Sequence, residues 1–164
     1  MFSIFRSRRR ALRDKTRLLE GTVTWKQIRN GIVIREETYR NVICNSGIAK
    51  ASGLINGASS GAFGYMAIGT GTGVAAATDT VLASEITTGG GARVSATVSQ
   101  VTTTTTNDTA QWVGSWTFTA SFAVTEEGLF DAASAGNLLA HQENLPAWNV
   151  VSGDQLQITH KVQL

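Results

Sequence analysis

Cysteine, proline and charge are all scarce in this sequence, and each scarcity excludes something. Cys44 is the single cysteine, so no disulfide can form within the chain, which fits synthesis in a reducing compartment. Pro146 is the single proline, and it interrupts none of the strands read below. Charged residues make up 16% of the chain, where a soluble domain carries about 25%. Thr, Ser, Ala, Gly, Asn and Gln fill the difference. Such a surface suits a protein held against partners in an assembly better than a concentrated free enzyme. No apolar run reaches the roughly 18 residues of a membrane helix. The opening MFSIFRSRRRALRDK places its charges after a short apolar tip, the reverse of a secretory signal, so no export signal is expected.

The net charge of +2 conceals a division. Residues 1–20 hold seven Arg or Lys and two acids, a net of +5, whereas residues 21–164 hold seven basic and ten acidic residues, a net of −3. A basic arm therefore precedes a mildly acidic body, and the high overall pI does not by itself point to nucleic acid. Phe5, Arg8, Leu12 and Leu19 recur at roughly helical spacing, with Arg8, Arg9 and Arg10 together. A helix this short is marginal in water alone, so the arm is expected to order on a partner.

Beyond the arm the patterns are those of strands. Asn30-Gly31 between two segments rich in Val, Ile and aromatics predicts a hairpin over residues 21–40 with a type I′ turn. A tight two-residue loop sets Lys26 opposite Arg35, a like-charge pair that a bulge would relieve. Asn45 or Ser46 can cap a short helix with Ile48, Ala51, Leu54 and Ile55 on one face and Gly57 at its end. Tyr65–Ile68 reads as a short strand, and Ala75–Ile86 is ambiguous. Arg93–Thr106 reads as a long β-branched strand. The clearest two-fold alternations are Gln111–Phe122, with Trp112, Trp116, Phe118 and Phe122 on one face, and Gln155–Leu164, with Leu156, Ile158, His160 and Val162 on one face. Leu138–Gln142 reads as a shorter strand. The expected fold is mainly β, an antiparallel β-sandwich or jelly-roll-like module with a basic N-terminal arm and one short helix. Its organisation is an arm at 1–20, a hairpin at 21–40 and a β-rich structural domain at 41–164.

Candidate chemistry is thin. Gly69-Thr-Gly-Thr-Gly73 resembles a phosphate loop but lacks the Lys and the strand-to-helix setting such loops need, so a tight turn is the better reading. His141 and His160 lie in different strands, and His160 sits at a core position. Two histidines and one cysteine offer little for zinc. Glu126 and Glu127 are adjacent and would face opposite sides of a strand. Asp79, Asp108, Asp131 and Asp154 fall in turns, where Asp caps amides for local reasons. Cys44 has no base in sight, and no nucleophile elbow occurs. No enzyme activity and no cofactor or metal is expected.

Several segments in order carry a resemblance: Phe63–Gly73, Ala75–Ile86, Phe118–Asp131, Leu138–Gln142 and Asn149–Leu164. Residues 41–164 resemble small structural proteins of tailed bacteriophages, tail-fibre, baseplate-associated or other virion proteins. The resemblance implies assembly into a capsid, neck or tail, as a homo-oligomer, a trimer or a higher ring, with other virion proteins as partners and the virion as location. Residues 1–40 depart from the shared pattern. Partner docking is therefore expected from Phe5, Arg8, Arg9, Arg10, Arg13 and Arg17, with Trp25 and Tyr39 as aromatic anchors. Neither a membrane nor nucleic acid is the expected partner. Two further readings remain, a capsid decoration protein and a module that binds a host glycan or nucleic acid through exposed Trp112 and Trp116. Their shared parity with Phe118 favours burial.

Overall fold

A computed structural model describes residues 19–164. The hairpin strands β1 (Glu20–Arg29) and β2 (Ile32–Arg40) turn at Asn30 and Gly31, with φ of 51° and 76°, as a type I′ turn requires. A bulge between Gln27 and Ile28 shifts the register, so Gln27 faces Arg35 and Lys26 faces Glu36. The like-charge pair is replaced by an ion pair at 3.4 Å. β3 (Val42–Ile43) leads into α1 (Asn45–Asn56). Cys44, not Asn45 or Ser46, occupies the position before the first turn, and Ser46 Oγ instead donates to the Leu138 carbonyl at 3.0 Å.

The remaining strands are β4 (Tyr65–Gly69), β5 (Val94–Ser95), β6 (Thr97–Val101), β7 (Thr109–Thr117), β8 (Phe122–Phe130), β9 (Leu138–Val150) and β10 (Gln155–Gln163). They form two five-stranded antiparallel sheets, ordered β2-β1-β10-β7-β6 and β3-β9-β8-β4-β5. Each sheet keeps two edges, so the architecture is a sandwich of open sheets. β1 pairs with β10 from Glu20–Gln163 to Ile28–Gln155. The hairpin is thus built into the first sheet rather than attached to it.

One apolar cluster fills the space between the sheets. Val23 and Trp25 from β1, Trp112 and Trp116 from β7, and Leu156 and Ile158 from β10 meet Met66, Ile68, Val124, Leu129 and Trp148 from the second sheet. The Trp25 and Trp148 rings lie 5.6 Å apart, close enough to add an aromatic pair contribution to their burial. A smaller cluster of Cys44, Ala67, Leu82, Phe130 and Leu138 covers the outer side of the second sheet. There α1 approaches through a glycine: a Cβ on Gly47 would lie 2.4 Å from the Leu139 Cα. The expected apolar helix face is only partly used, since Ile48 and Ile55 are exposed and Leu54 packs on the core.

Three strand readings are corrected. Gln111–Phe122 is not one strand: β7 ends at Thr117, a turn follows, and Phe122 opens β8 in the other sheet. Arg93–Thr106 breaks at Ala96, where the chain crosses from one sheet to the other, and ends at Val101. The Asp108 carboxylate then accepts from the amides of Thr103, Thr104 and Thr105, a closed turn that no strand could continue through. Leu138–Gln142 is the start of a 13-residue strand that contains Pro146. Proline is tolerated there because β9 bulges: Val124 pairs with Trp148 and Glu126 with Glu143, leaving residues 144–147 out of the ladder.

Candidate functional site

β8 carries the unexpected feature. Every residue from Val124 to Phe130 is buried, so the strand is covered on both faces and its two adjacent acids point to opposite sides of the sheet. Glu126 is 1% exposed and Glu127 0%. An unpaired carboxylate there would be costly, and each is met by a histidine.

On the outer face, His141 of β9 lies between two carboxylates, with Nδ1 2.7 Å from Asp79 and Nε2 3.1 Å from Glu126. Both neighbours are acceptors, so both ring nitrogens must donate, which selects the imidazolium. Burial pulls the His141 pKa down, but the hydrogen bonds and charges of Glu126 and Asp79 outweigh it and hold it above its ordinary value. Burial likewise pushes Glu126 up. The hydrogen bonds from His141 and from the amides of Ser84, Ala83 and Gly71 win, and the carboxyl stays below its ordinary value. Burial opposes ionisation of Asp79 too, and the Ala76 amide with His141 overcomes it.

Glu126 also explains the glycine-rich stretch. Its Oε1 accepts from Gly71 N at 2.9 Å and Ser84 N at 2.7 Å, and its Oε2 from Ala83 N at 2.9 Å. Backbone amides converge on an anion, as in a phosphate loop, but the anion is the protein's own side chain. A Cβ on Gly71 would lie 2.5 Å from Glu126 Oε1 and 2.6 Å from the Ala83 Cβ. Glycine is needed at this position for close approach. The tight-turn reading of residues 69–73 is corrected: the segment leaves β4 as an extended loop alongside Ser84, with Thr70 N donating to the Ser84 carbonyl at 2.9 Å.

On the inner face, Glu127 accepts from His160 Nδ1 at 3.1 Å, deep between the sheets. The other ring nitrogen of His160 meets the Asn41 side-chain amide. A proton on Nδ1 satisfies the carboxylate and leaves Nε2 to accept from Asn41. The Trp112 ring stands edge-on to His160 at 6.2 Å between centroids. His160 is therefore a satisfied core histidine, and the two histidines do not meet in one site.

Both clusters act as latches that bind loops and sheets together. Cys44 is buried, and burial, with the nearby charge of Asp79, pushes its thiol up to about 11. It is protonated and a poor nucleophile near neutral pH. Among the described residues no group of three or more His, Cys, Asp or Glu side chains is placed to hold a metal ion, and no helix is long and apolar enough to cross a membrane.

Of the expected docking residues, Phe5, Arg8, Arg9, Arg10, Arg13 and Arg17 lie outside the described residues. Trp25 is corrected: it is fully buried and has no surface to offer a partner. It lies on the inner side of β1, where the Trp148 ring is its neighbour. Tyr39 is half-buried on the edge strand β2 and donates its hydroxyl to Glu37. Trp112 and Trp116 are 8% and 2% exposed, and their indole N–H groups donate to the Phe63 and Ala92 carbonyls. They cannot stack on a sugar or a base in this fold.

A two-sheet body held by internal carboxylate–histidine latches is a structural module, and comparison by sequence places it among phage structural proteins. The chain belongs to the family described as podophage GP4 fiber I protein gp80, whose model matches residues 56–162. That span runs from the end of α1 to the penultimate residue of β10, and it falls within the segment 41–164 that carries the phage resemblance. No curated protein and no solved structure matches the chain.

Proposed function

We propose that this protein is a non-enzymatic component of the tail of a phage particle, associated with a fibre and attached through its N-terminal arm. The observation that carries the reading is the family match over residues 56–162 to a fibre protein. Two physical features support it. The buried polar clusters are spent on holding the fold together, and the arm, with its net charge of +5 over residues 1–20, contrasts with a body of net −3. An Arg-rich arm docks readily on an acidic neighbour. Other virion proteins, including further copies of this chain, are the proposed partners.

The test is removal of residues 2–18, which stops short of β1. The truncated chain is expected to fold, with an unchanged thermal transition, and to be missing from purified particles. Normal incorporation of the truncated chain would show that the arm is not the attachment device. Location on the head rather than the tail, seen by labelling of intact particles, would replace the tail reading with a capsid decoration role.

A further inference from the structure

The sandwich is left uncovered at one corner. Where the chain crosses at Ala96 from the second sheet to the first, β5 covers only two residues, and β6 runs on with no described strand opposite its inner side. A cleft of about 640 Å³ opens there, lined among others by Phe63, Ala96, Val98, Gln100, Ala110 and Trp112. Val98 pairs with Trp112, a core residue, so its side chain faces inward, yet it is 60% exposed. Among the described residues no charged side chain lines the cleft. β6 is also the last strand of its sheet, and its outer backbone edge has no partner strand among the described residues.

We propose that the apolar tip of the N-terminal arm, residues 2–5, occupies this cleft as an added strand beside β6. Phe2 and Ile4 share one parity and Ser3 and Phe5 the other, so Phe2 and Ile4 can lie on the side of the inward Val98 and Gln100. Backbone groups would pair along the free edge while the two apolar side chains fill the cleft over Phe63 and Trp112, the usual division of labour in strand addition. The uncharged described lining fits the uncharged tip and not the arginine tract. Reach is sufficient. The described chain begins at Leu19 beside the Gln163 end of β10, and β1 and β6 are three strand spacings apart, about 14 Å. Leu19 lies fourteen positions after Phe5, a stretch that spans up to about 46 Å extended. The tip can therefore enter its own cleft or that of a neighbouring copy. The inference deepens the docking role of the arm, and it is testable on the isolated protein, where incorporation into particles plays no part.

The experiment uses the full chain with Val98→Cys, Cys44 being buried and inert. Modification of the introduced thiol by a water-soluble maleimide is expected to be roughly tenfold slower than in the same variant lacking residues 2–5, given the millimolar effective concentration of a tethered tip. In parallel, Ser3→Cys combined with Ser99→Cys is expected to form a disulfide on mild oxidation, whereas Ser3→Cys with Thr38→Cys on the opposite edge is not. A disulfide within one chain assigns the tip to its own cleft and one between chains to a neighbour's, and either supports the proposal. Equal labelling rates with and without the tip, with no 3–99 disulfide, would overturn it. So would protection of the Val98→Cys thiol that depends on protein concentration but not on the tip, since a second body would then cover the cleft. Loss of particle incorporation on arm removal alongside equal labelling would sink this inference and leave the docking role standing.

Discussion

β2 and β6 close the same sheet at opposite sides and are built on opposite principles. β2 carries Arg35, Glu36, Glu37 and Arg40, and its register is broken by a bulge. Arg35 spans outward and inward contacts at once, bonded to Glu37 at 2.7 Å and lying 4.0 Å over the Trp148 ring. Charge and bulges are what natural sheets use to keep an edge from pairing with another chain. β6, Thr97–Val101, has no charge and no bulge, and it borders an uncovered cleft. One edge is protected and the other is left available. The difference leaves β6 as the edge without these protections.

Predictions follow from the elements that make the two sides differ. The largest effect belongs to the protected side. Trp25→Ala removes a fully buried ring from β1 and from its contact with Trp148, and is expected to lower stability by about 3–5 kcal/mol in a denaturant titration. A loss below 1 kcal/mol would mean that the hairpin is not part of the cooperative fold.

Glu126→Ala comes next. It leaves the amides of Gly71, Ala83 and Ser84 and a buried His141 without their acceptor. A cost of about 3 kcal/mol is expected, as for a broken buried pair. Amide exchange should accelerate first at Gly71, Ala83 and Ser84, while β6 and β7 keep their protection. Uniform acceleration through both sheets would show that the latch is not local.

The same cluster sets a pH window. The His141 pKa is raised on folding, so its contribution is complete below its ordinary value near 6.5 and is lost as pH rises through the higher folded value. Glu126 and Asp79 are lowered, so theirs are complete above about 4.5 and are lost as pH falls through the depressed folded values. Stability from this latch is greatest between about pH 4.5 and 6.5. His141→Gln should flatten the decline above that window in thermal melts. A decline unchanged in the variant would place its origin elsewhere.

The smallest effect tests the edge itself. Arg35→Ala removes a cation–π contact over Trp148 and a partly exposed ion pair with Glu37, and only a small loss of stability is expected. It also uncovers β2, so association at high concentration should rise slightly by analytical ultracentrifugation. Ser99→Lys on β6 should leave the melting temperature within a degree or two and weaken assembly instead. The reverse pattern would exchange the roles of the two edges.

The sequence disclosed much of this body and little of its polar interior. The β10 alternation, the Asn30-Gly31 turn and the inward tryptophans of β7 were legible because one buried face produces a two-fold pattern. β8 was not, because burial on both faces erases alternation. Adjacent Glu126 and Glu127 read correctly as facing opposite sides of a strand, but their partners His141 and His160 come from strands distant in sequence and are not legible from it. The β7–β8 boundary was missed because Phe118 and Phe122 keep the same parity across the turn. Pro146 reads as lying outside the strands because the bulge that admits it depends on β8. Trp25 reads as a surface anchor because a hairpin taken alone shows no cover, and Trp148 of β9, whose ring packs against it, lies more than a hundred residues away.

The most direct measurement is the copy number of this protein in purified phage particles, by quantitative mass spectrometry against the major capsid protein. A fibre-associated component of a symmetric tail predicts between about three and a few dozen copies per particle. Complete absence from the particles, or hundreds of copies matching the capsid lattice, would contradict the account.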